Sequence, residues 1–391
     1  MKITDIRTYN VFSFRTNFVF VEIYTDEGLS GLGEGTLEYK ENALLGAIED
    51  IKRVLIGQDP MEIERITSLL YRDSYWRVGP VLQSAISAVE MALWDIKGKY
   101  YNAPVYELLG GRVRDRVRMY ANGWFSGARE PEDFAKAALA AKEKGVTALK
   151  WDPFGSAYMF MDAQQFSHSI EIVEAVRGAV GSSVDLLIEG HGRFDIATGI
   201  KIATALKPFD PYFFEEPTPP DSLDAMAEVR RKSPVPIAGG ERIYSLTQFK
   251  EFLIKGCADF AQPDVSHCGG IMAVKKMAAM AETFYVAMAP HNPSGPVANA
   301  ASLTLAANLS NFRILEIMLT DVSWRKELTD EEVVFSKGDI MIPCRPGLGL
   351  SLNAAACAEH PFEPVDLRHY GGTLTDIRPV GMTSYYFKGL E

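Results

Sequence analysis

Apolar and polar positions alternate near the start of the chain, through residues 8–14 and 18–24, and Asp26 to Gly28 supply a turn after the second stretch. A period of two is typical of antiparallel strands that bury one face. Further along, apolar residues recur at helical spacing in three stretches, which are residues 43–54, 61–71 and 81–100. The pattern predicts an N-terminal α+β domain over residues 1–115.

After Gly110 and Gly111 the pattern changes to short apolar runs, each followed by a helical segment, which predicts parallel βα units. Eight such runs end at Tyr120, Lys150, Glu189, Glu215, Glu241, Asp264, His291 and Glu316. Eight units predict a closed β/α barrel over residues 116–325, with all the strand ends around one cavity. Residues 326–391, with short strands that include residues 346–352, are expected to return to the first domain.

Composition and charge narrow the class of protein. With 47% hydrophobic and 23% charged residues, the 391-residue chain can fold into two globular domains. Its formal net charge of -11 argues against a basic surface for nucleic acid. The first residues lack a signal-peptide core and no run approaches the roughly 18 apolar residues of a membrane span, so we expect a cytoplasmic protein without a membrane partner. The four cysteines form no CxxC pair, which predicts reduced thiols.

Six consecutive barrel strands end in an acidic residue or a histidine. Their segments read LIEGHGRF, FFEEP, IAGGER, QPD, APHN and ILE. One carboxylate at a strand end is typical of a helix cap or a solvated loop. Several carboxylates around one cavity repel one another and lose hydration, which is prohibitive unless a cation compensates them. The pattern therefore predicts a hard divalent metal ion held by carboxylate oxygens.

These motifs, in this order, resemble the mandelate racemase group of the enolase superfamily, as do the helix AISAVEMALWDIK at 85–97 and the segment PVYELLGG at 104–111. The resemblance covers nearly the whole chain. It implies an α/β fold with a modified TIM barrel, (β/α)7β, and an N-terminal capping domain that the C-terminal segment completes. It also implies that Mg²⁺ is bound by Glu189, Glu215 and Glu241.

The same resemblance implies a catalytic dyad of Asp264 and His291, whose imidazole removes a proton from the carbon next to a substrate carboxylate. Glu316 is then expected beside that carboxylate. Such a proton is too weak an acid for histidine unless the charge that develops on the carboxylate is neutralised, and a bound Mg²⁺ does this as a Lewis acid. The aspartate is expected to hold the histidine in the correct tautomer.

Two strands indicate the branch of the family. Racemases of this group carry Lys-x-Lys on the second barrel strand, whereas the segment ALKWDPFG places Asp152 two residues after Lys150, so a two-base racemase is not expected. His191 lies two residues after Glu189, and residues two apart on a strand share a face, so we expect both side chains to point into the cavity. The strings EGHGRF and KWDPFG resemble sugar-acid dehydratases of the gluconate and galactonate type.

In such a dehydratase, the resemblance implies that His291 removes the C2 proton of an aldonic acid and that His191 protonates the departing C3 hydroxyl. The product is a 2-keto-3-deoxy acid. The expected substrate-binding residues are Lys150, Asp152 and Arg193. One departure from the family is that many members have aspartate where this chain has Glu189.

Other interpretations remain open at this point. The same fold supports racemases, epimerases and cycloisomerases of carboxylates, and a barrel without activity can serve as a sugar-acid binding protein. Lys150 can instead pair with Asp152, and Arg193 with a neighbouring acid, as structural ion pairs. The remaining histidines without a supporting pattern are expected at the surface, and these are His168, His360 and His369. A homo-oligomer is expected from the resemblance.

Overall fold

The computed structural model describes residues 1–365, 369–376 and 381–390. Its N-terminal domain is a three-stranded antiparallel sheet in the order β1-β2-β3, with helices packed against it. The elements are β1 (Ile3–Phe12), β2 (Asn17–Thr25), β3 (Ser30–Glu34), α1 (Glu41–Leu55), α2 (Ile63–Arg72), α3 (Pro80–Tyr100) and α4 (Val105–Leu108). The predicted strands and helices of this region are therefore present.

Helix α3 is the central helix of this domain and packs directly on β3. The contact is so close that a Cβ atom at Gly33 would lie 1.7 Å from the carbonyl oxygen of Ala88. Only glycine, which has no Cβ, permits this approach. Most of α3 is buried, but no helix in the described part of the chain is long and apolar enough to cross a membrane.

The second unit is a barrel in which parallel strands alternate with helices. Its strands are β4 (Arg116–Asn122), β5 (Ala148–Trp151), β6 (Asp185–Glu189), β7 (Phe213–Glu215), β8 (Ile237–Gly239), β9 (Phe260–Ala261), β10 (Ala287–Met288) and β11 (Leu315–Met318). The helices between them are α5 (Pro131–Glu143), α6 (Ala163–Val180), α7 (Ile196–Leu206), α8 (Leu223–Lys232), α9 (Leu246–Lys255), α10 (Ile271–Thr283) and α11 (Pro296–Asn308).

Each strand from β4 to β10 pairs with the next, and β11 returns to pair with β4. A parallel bridge between Met288 and Phe312 joins the last two strands, so the ring is closed. Apolar side chains fill its interior, and these are Tyr120, Ala148, Leu187, Phe213, Ala238, Ala289 and Ile314. The predicted (β/α)7β barrel is confirmed, with a packed interior below the open carboxyl end of the strands.

The C-terminal region divides between the two units. Its elements are β12 (Asp321–Val322), α12 (Arg325–Leu328), β13 (Phe335–Ser336), β14 (Asp339–Met341), α13 (Ala354–Glu359) and β15 (Thr383–Ser384). The β13–β14 hairpin extends the barrel, because Ile340 pairs with Val117 of β4. By contrast, the N–H of Phe12 in β1 donates to the carbonyl of His360 at 3.0 Å, so the end of α13 lies on the capping domain.

Residues 346–352, predicted as a strand, form only isolated bridges at Gly347 and Leu352. Both Gly347 (φ 69°) and Gly349 (φ 84°) have left-handed backbones, which interrupt an extended conformation. Their backbone still contacts the capping domain, since the N–H of Gly347 donates to the carbonyl of Ala103. The exact domain boundaries and the homo-oligomeric state remain predictions from the sequence.

Two carboxylates of the capping domain hold the loops that carry the site. Helices α10 and α11 both begin after a glycine and have no side-chain cap of their own. Glu34 of β3 accepts hydrogen bonds from the N–H groups of Gly295, Val297 and Ala298 at 2.6–3.1 Å. Glu90 of α3 accepts those of Ile271 and Met272 at 2.7 and 2.9 Å. These bonds satisfy otherwise unpaired helix N–H groups and fix the ends of β9 and β10 against the capping domain.

Candidate active site

Three glutamates converge at the carboxyl end of the barrel. Glu189 ends β6, Glu215 ends β7 and Glu241 lies two residues beyond β8. One carboxylate oxygen of each lies within 4.8 Å of the others, and we call these three residues the carboxylate cluster. An octahedral Mg²⁺ binds oxygens at about 2.0–2.1 Å, so oxygens that share one ion are at most about 4.2 Å apart. A small side-chain movement therefore brings the cluster to this spacing.

The ammonium of Lys150 on β5 neutralises part of this charge. Its ammonium lies 3.2 Å from Glu189, 2.9 Å from Glu215 and 3.0 Å from Glu316. It does not pair with Asp152, which was one of the two roles predicted for it. Burial and the nearby Glu189 raise the pKa of Glu215 well above its ordinary value.

The fit of the carboxylate cluster to a metal ion rests on its donor atoms. The buried Oε2 of Glu215 accepts no hydrogen bond from any described residue. Such an atom loses its hydration without compensation, unless a ligand takes it up. Hard carboxylate oxygens converging from three strands are the donor set that Mg²⁺ prefers.

His291 and Asp264 form a hydrogen-bonded pair, which we call the His291 pair. The imidazole Nδ1 lies 2.7 Å from Oδ2 of Asp264, while Oδ1 of Asp264 accepts the N–H of Ser266 at 2.6 Å. Burial disfavours the imidazolium, but Glu241, Glu316 and Asp264 together outweigh it and raise the pKa of His291 to about 10. The contact through Nδ1 leaves Nε2 as the nitrogen that faces the carboxylates, 3.4 Å from Glu241.

Glu316 is fully buried on β11 and lies between the other site residues. Its Oε1 accepts a hydrogen bond from the amide of Asn122 at 2.8 Å, and its Oε2 accepts the N–H of Asn292 at 3.1 Å. Nε2 of His291 lies 3.9 Å from the same Oε2. Asn122, at the end of β4, was missed in the sequence, where Tyr120 was taken as the strand end. A polar residue two positions further along the same run was the available signal.

His191 and Asp152 form a second pair, which we call the His191 pair. Nδ1 of the imidazole lies 2.6 Å from Oδ2 of Asp152. The buried guanidinium of Arg193 also pairs with Asp152, and it donates to the carbonyl oxygens of Gly190 at 3.0 Å and Gly155 at 2.8 Å. Arg193 thus has the ion pair with a neighbouring acid that was one of its two predicted roles.

The orientation of His191 has a different cause from the predicted one. Strand β6 ends at Glu189, so His191 lies beyond the alternating part of the strand. Its backbone is left-handed (φ 51°), a conformation that costs a non-glycine residue about 1 kcal/mol or more. The N–H of His191 donates to Oε1 of Glu189 at 2.6 Å, which together with Asp152 holds the turn. The side chain does line the cavity, but through this turn and not through strand periodicity.

A pocket open to solvent lies next to the His191 pair, with about 630 Å³ of empty space including its opening. Barrel residues line most of it, including Lys150, Asp152, Glu189 and His191. Arg15 of the capping domain and His369 of the C-terminal segment complete the wall. The prediction that His369 lies at the surface is therefore wrong. No signal in the sequence could have placed it, because the described part of its segment has only two single-turn 3-10 helices, His369–Gly371 and Leu374–Asp376, and no apolar periodicity.

His369 lies close to His191 and to two residues of the capping domain. Its ring centre lies 5.2 Å from that of His191, its Nδ1 3.4 Å from the hydroxyl of Tyr39, and its Nε2 3.8 Å from Oε2 of Glu38. Burial lowers the pKa of His369 to about 4, against the opposing effect of Glu38. The imidazole is therefore neutral near pH 7 and offers one donor and one acceptor.

Comparison with known proteins identifies the family. The model "Enolase C-terminal domain-like" matches residues 133–356, and the model "Mandelate racemase / muconate lactonizing enzyme, N-terminal domain" matches residues 10–110. The chain belongs to the enolase superfamily. Within it, the N-terminal match assigns the chain to the mandelate racemase group, as predicted.

Relatives in this superfamily match along almost the whole chain. A D-gluconate dehydratase from Thermoproteus tenax is 35% identical over 89% of this chain and 71% of its own length. A D-galactonate dehydratase from Variovorax paradoxus is 35% identical over 94% of this chain and 97% of its own. The predicted enzyme class is confirmed, and the chain is a hydro-lyase.

Solved structures agree with this assignment. A mandelate racemase/muconate lactonizing enzyme from Sulfitobacter superimposes with a TM-score of 0.89 at 33% identity, covering 94% of this chain and 98% of that one. A member of the enolase superfamily from Salmonella Typhimurium gives a TM-score of 0.88 at 31% identity, covering 92% and 98%. The structural similarity therefore covers both the capping domain and the barrel of this chain.

Proposed function

We propose that this enzyme is a Mg²⁺-dependent dehydratase of an aldonic acid of the gluconate or galactonate type. It removes the proton at C2, eliminates the hydroxyl at C3 and releases a 2-keto-3-deoxy acid. The observation that carries the proposal is that two imidazole–carboxylate pairs lie at the same barrel mouth as the carboxylate cluster. An elimination needs one group to take a proton and another to give one, and the two pairs supply both.

The two pairs lie across the barrel from each other. His191 follows β6 and His291 follows β10, and these strands are four positions apart in a closed ring of eight. Contacts link the two sides, from His291 to Glu316, then to Lys150 and on to Glu189. A substrate bound at the carboxylate cluster therefore has one histidine on each side. This arrangement suits the removal of H2 and of the C3 hydroxyl from opposite faces.

The first half of the reaction belongs to the His291 pair. Mg²⁺, held by the carboxylate cluster, supplies the Lewis acidity that makes a proton beside a carboxylate removable. Asp264 holds Nδ1 of His291, so Nε2 takes the C2 proton. Glu316 is oriented by Asn122 and Asn292 next to the substrate carboxylate.

The second half belongs to the His191 pair. Asp152 holds Nδ1 of His191, so Nε2 carries the proton that is given to the departing oxygen. The C3–O bond breaks, the hydroxyl leaves as water, and the resulting enol becomes the 2-keto-3-deoxy acid. We assign Lys150 and Asp152, which line the cavity, to substrate binding. Arg193 pairs with Asp152. We assign Arg193 the role of positioning the His191 pair.

The choice of substrate class rests on the relatives and on the second strand. The relatives named above are dehydratases of D-gluconate and D-galactonate. Asp152 occupies the position at which a two-base racemase of this group has a lysine. Its carboxylate contacts both His191 and Arg193. This supports elimination over racemisation.

The test is turnover of a panel of aldonic and aldaric acids with Mg²⁺, followed by detection of the 2-keto-3-deoxy product. Chelation should abolish turnover of the wild type, and added Mg²⁺ should restore it. Added Mg²⁺ should not restore turnover in Glu215→Gln. Full activity in a metal-free preparation would contradict the metal assignment. A product with inverted C2 and an intact C3 hydroxyl would contradict dehydration and favour epimerisation between the two histidines.

A further inference from the structure

One wall of the cavity comes from the described C-terminal residues 369–376. Three contacts fix this segment over the barrel mouth. The hydroxyl of Tyr370 donates to the carbonyl of His191 at 3.1 Å, the N–H of Gly127 donates to the carbonyl of Thr375 at 2.7 Å, and Arg129 pairs with Asp376 at 2.6 Å. The segment is therefore held against His191, and His369 lies beside this residue.

His369 has unused hydrogen-bonding capacity in this position. Its contacts of 3.4 Å to Tyr39 and 3.8 Å to Glu38 are longer than the usual 2.7–3.2 Å of a strong hydrogen bond. The side chain is half-buried and lines the cavity, so its ring is accessible to a ligand. A neutral imidazole with one donor and one acceptor is suited to a hydroxyl group, which is also both.

The position of His369 assigns it to one part of the substrate. This step rests on the proposed function, in which the His191 pair acts at the C3 hydroxyl. The ring centres of His369 and His191 are 5.2 Å apart, so the two imidazoles are direct neighbours. The other contacts of His369 are to the capping-domain residues Glu38 and Tyr39, neither of which belongs to the carboxylate cluster. The hydroxyl that follows C3 along the chain, away from the carboxylate, is the one at C4.

We propose that His369 is a specificity-determining residue that hydrogen-bonds the C4 hydroxyl of the sugar acid. D-Gluconate and D-galactonate differ only in configuration at C4, so this contact separates the two acids. The C4 hydroxyl of the preferred epimer forms a hydrogen bond with the imidazole of His369. The C4 hydroxyl of the other epimer points elsewhere and leaves the imidazole without this bond. A hydrogen bond between neutral groups contributes about 0.5–1.5 kcal/mol, which corresponds to roughly two- to twelvefold discrimination.

The experiment compares kcat/KM for D-gluconate and D-galactonate in the Mg²⁺-loaded wild type, His369→Leu and His369→Gln. The wild type should prefer one epimer by about two- to twelvefold. In His369→Leu the ratio should approach one, mainly through the preferred epimer, and His369→Gln should keep part of the preference because an amide still donates and accepts. His168→Leu, on helix α6 outside this cavity, is the matched control and should leave the ratio unchanged.

The outcomes separate the two proposals. A residue that only packs the segment would lower both kcat/KM values equally, so an unchanged ratio in His369→Leu would overturn the inference. A wild type without preference between the epimers would overturn it as well. In both cases the dehydratase proposal would stand. A wild type that dehydrates neither acid would contradict the proposed function and this inference with it.

Discussion

The two histidines at the barrel mouth are held alike but surrounded differently. In each pair an aspartate contacts Nδ1, at 2.7 Å for His291 and at 2.6 Å for His191. The His291 pair faces further carboxylates, with Glu241 at 3.4 Å and Glu316 at 3.9 Å from Nε2. The His191 pair instead shares its aspartate with a buried arginine.

This difference supports different roles for the two imidazoles. Glu241, Glu316 and Asp264 stabilise the imidazolium that forms when His291 takes a proton. Arg193 pairs with Asp152, so the carboxylate beside His191 already has a cationic partner. In the proposed mechanism the same type of hydrogen bond serves a base on one side and an acid on the other, and the two sites differ in their additional charged neighbours. Each of the following changes removes one part of this contrast.

The largest effect is expected on the base side. His291→Asn keeps a polar side chain but removes the proton acceptor, so kcat/KM for dehydration should fall by about 10⁴, the upper end for general acid–base groups. Circular dichroism and the melting temperature should stay close to those of the wild type. A variant that keeps more than about a tenth of the activity would show that another group removes the C2 proton.

The next effect concerns the arginine that distinguishes the acid side. Arg193→Met leaves the carboxylate of Asp152 buried without its cation, which should cost about 3–5 kcal/mol in the free energy of unfolding. Urea denaturation measures this cost. The control is Arg129→Met, whose pair with Asp376 is exposed and should change stability by less than about 1 kcal/mol. Equal effects of both variants would contradict the role given to Arg193.

The smallest effect concerns the support of the base side by the capping domain. Glu34→Gln replaces a carboxylate that caps helix α11 just after the His291 loop, so the free energy of unfolding should fall by about 1–2 kcal/mol. Glu49→Gln, an exposed acid on α1, is the control and should have no measurable effect. If Glu34→Gln were as stable as the control, the docking of the capping domain would not depend on this cap.

The sequence predicted most of the barrel because its signal is repetitive. Short apolar runs that end in an acid recur once per βα unit, so Glu189, Glu215 and Glu241 could be placed at one mouth without coordinates. Asp264 and His291 were expected together from the resemblance to the mandelate racemase group. Their pairing was correct because consecutive strands of a parallel barrel are neighbours.

The positions of residues outside the regular strands could not be predicted from the repeating pattern. His191 was placed correctly but for the wrong reason, since its left-handed turn cannot be inferred from alternation. His369 was misplaced because no period connects an irregular C-terminal segment to the barrel. Lys150 was given Asp152 as an alternative partner, but the ring brings it instead to three glutamates from β6, β7 and β11. Such contacts depend on side-chain reach across the barrel and leave no local pattern.

The division of labour between the two histidines is tested most directly by isotope exchange in deuterium oxide. His191→Asn should lose dehydration by about 10² to 10⁴ while still exchanging the C2 proton of the aldonic acid with solvent, because His291 and Asp264 are intact. His291→Asn should lose both exchange and dehydration. The account would be contradicted if His191→Asn dehydrated at the wild-type rate, since His291 would then act as both base and acid.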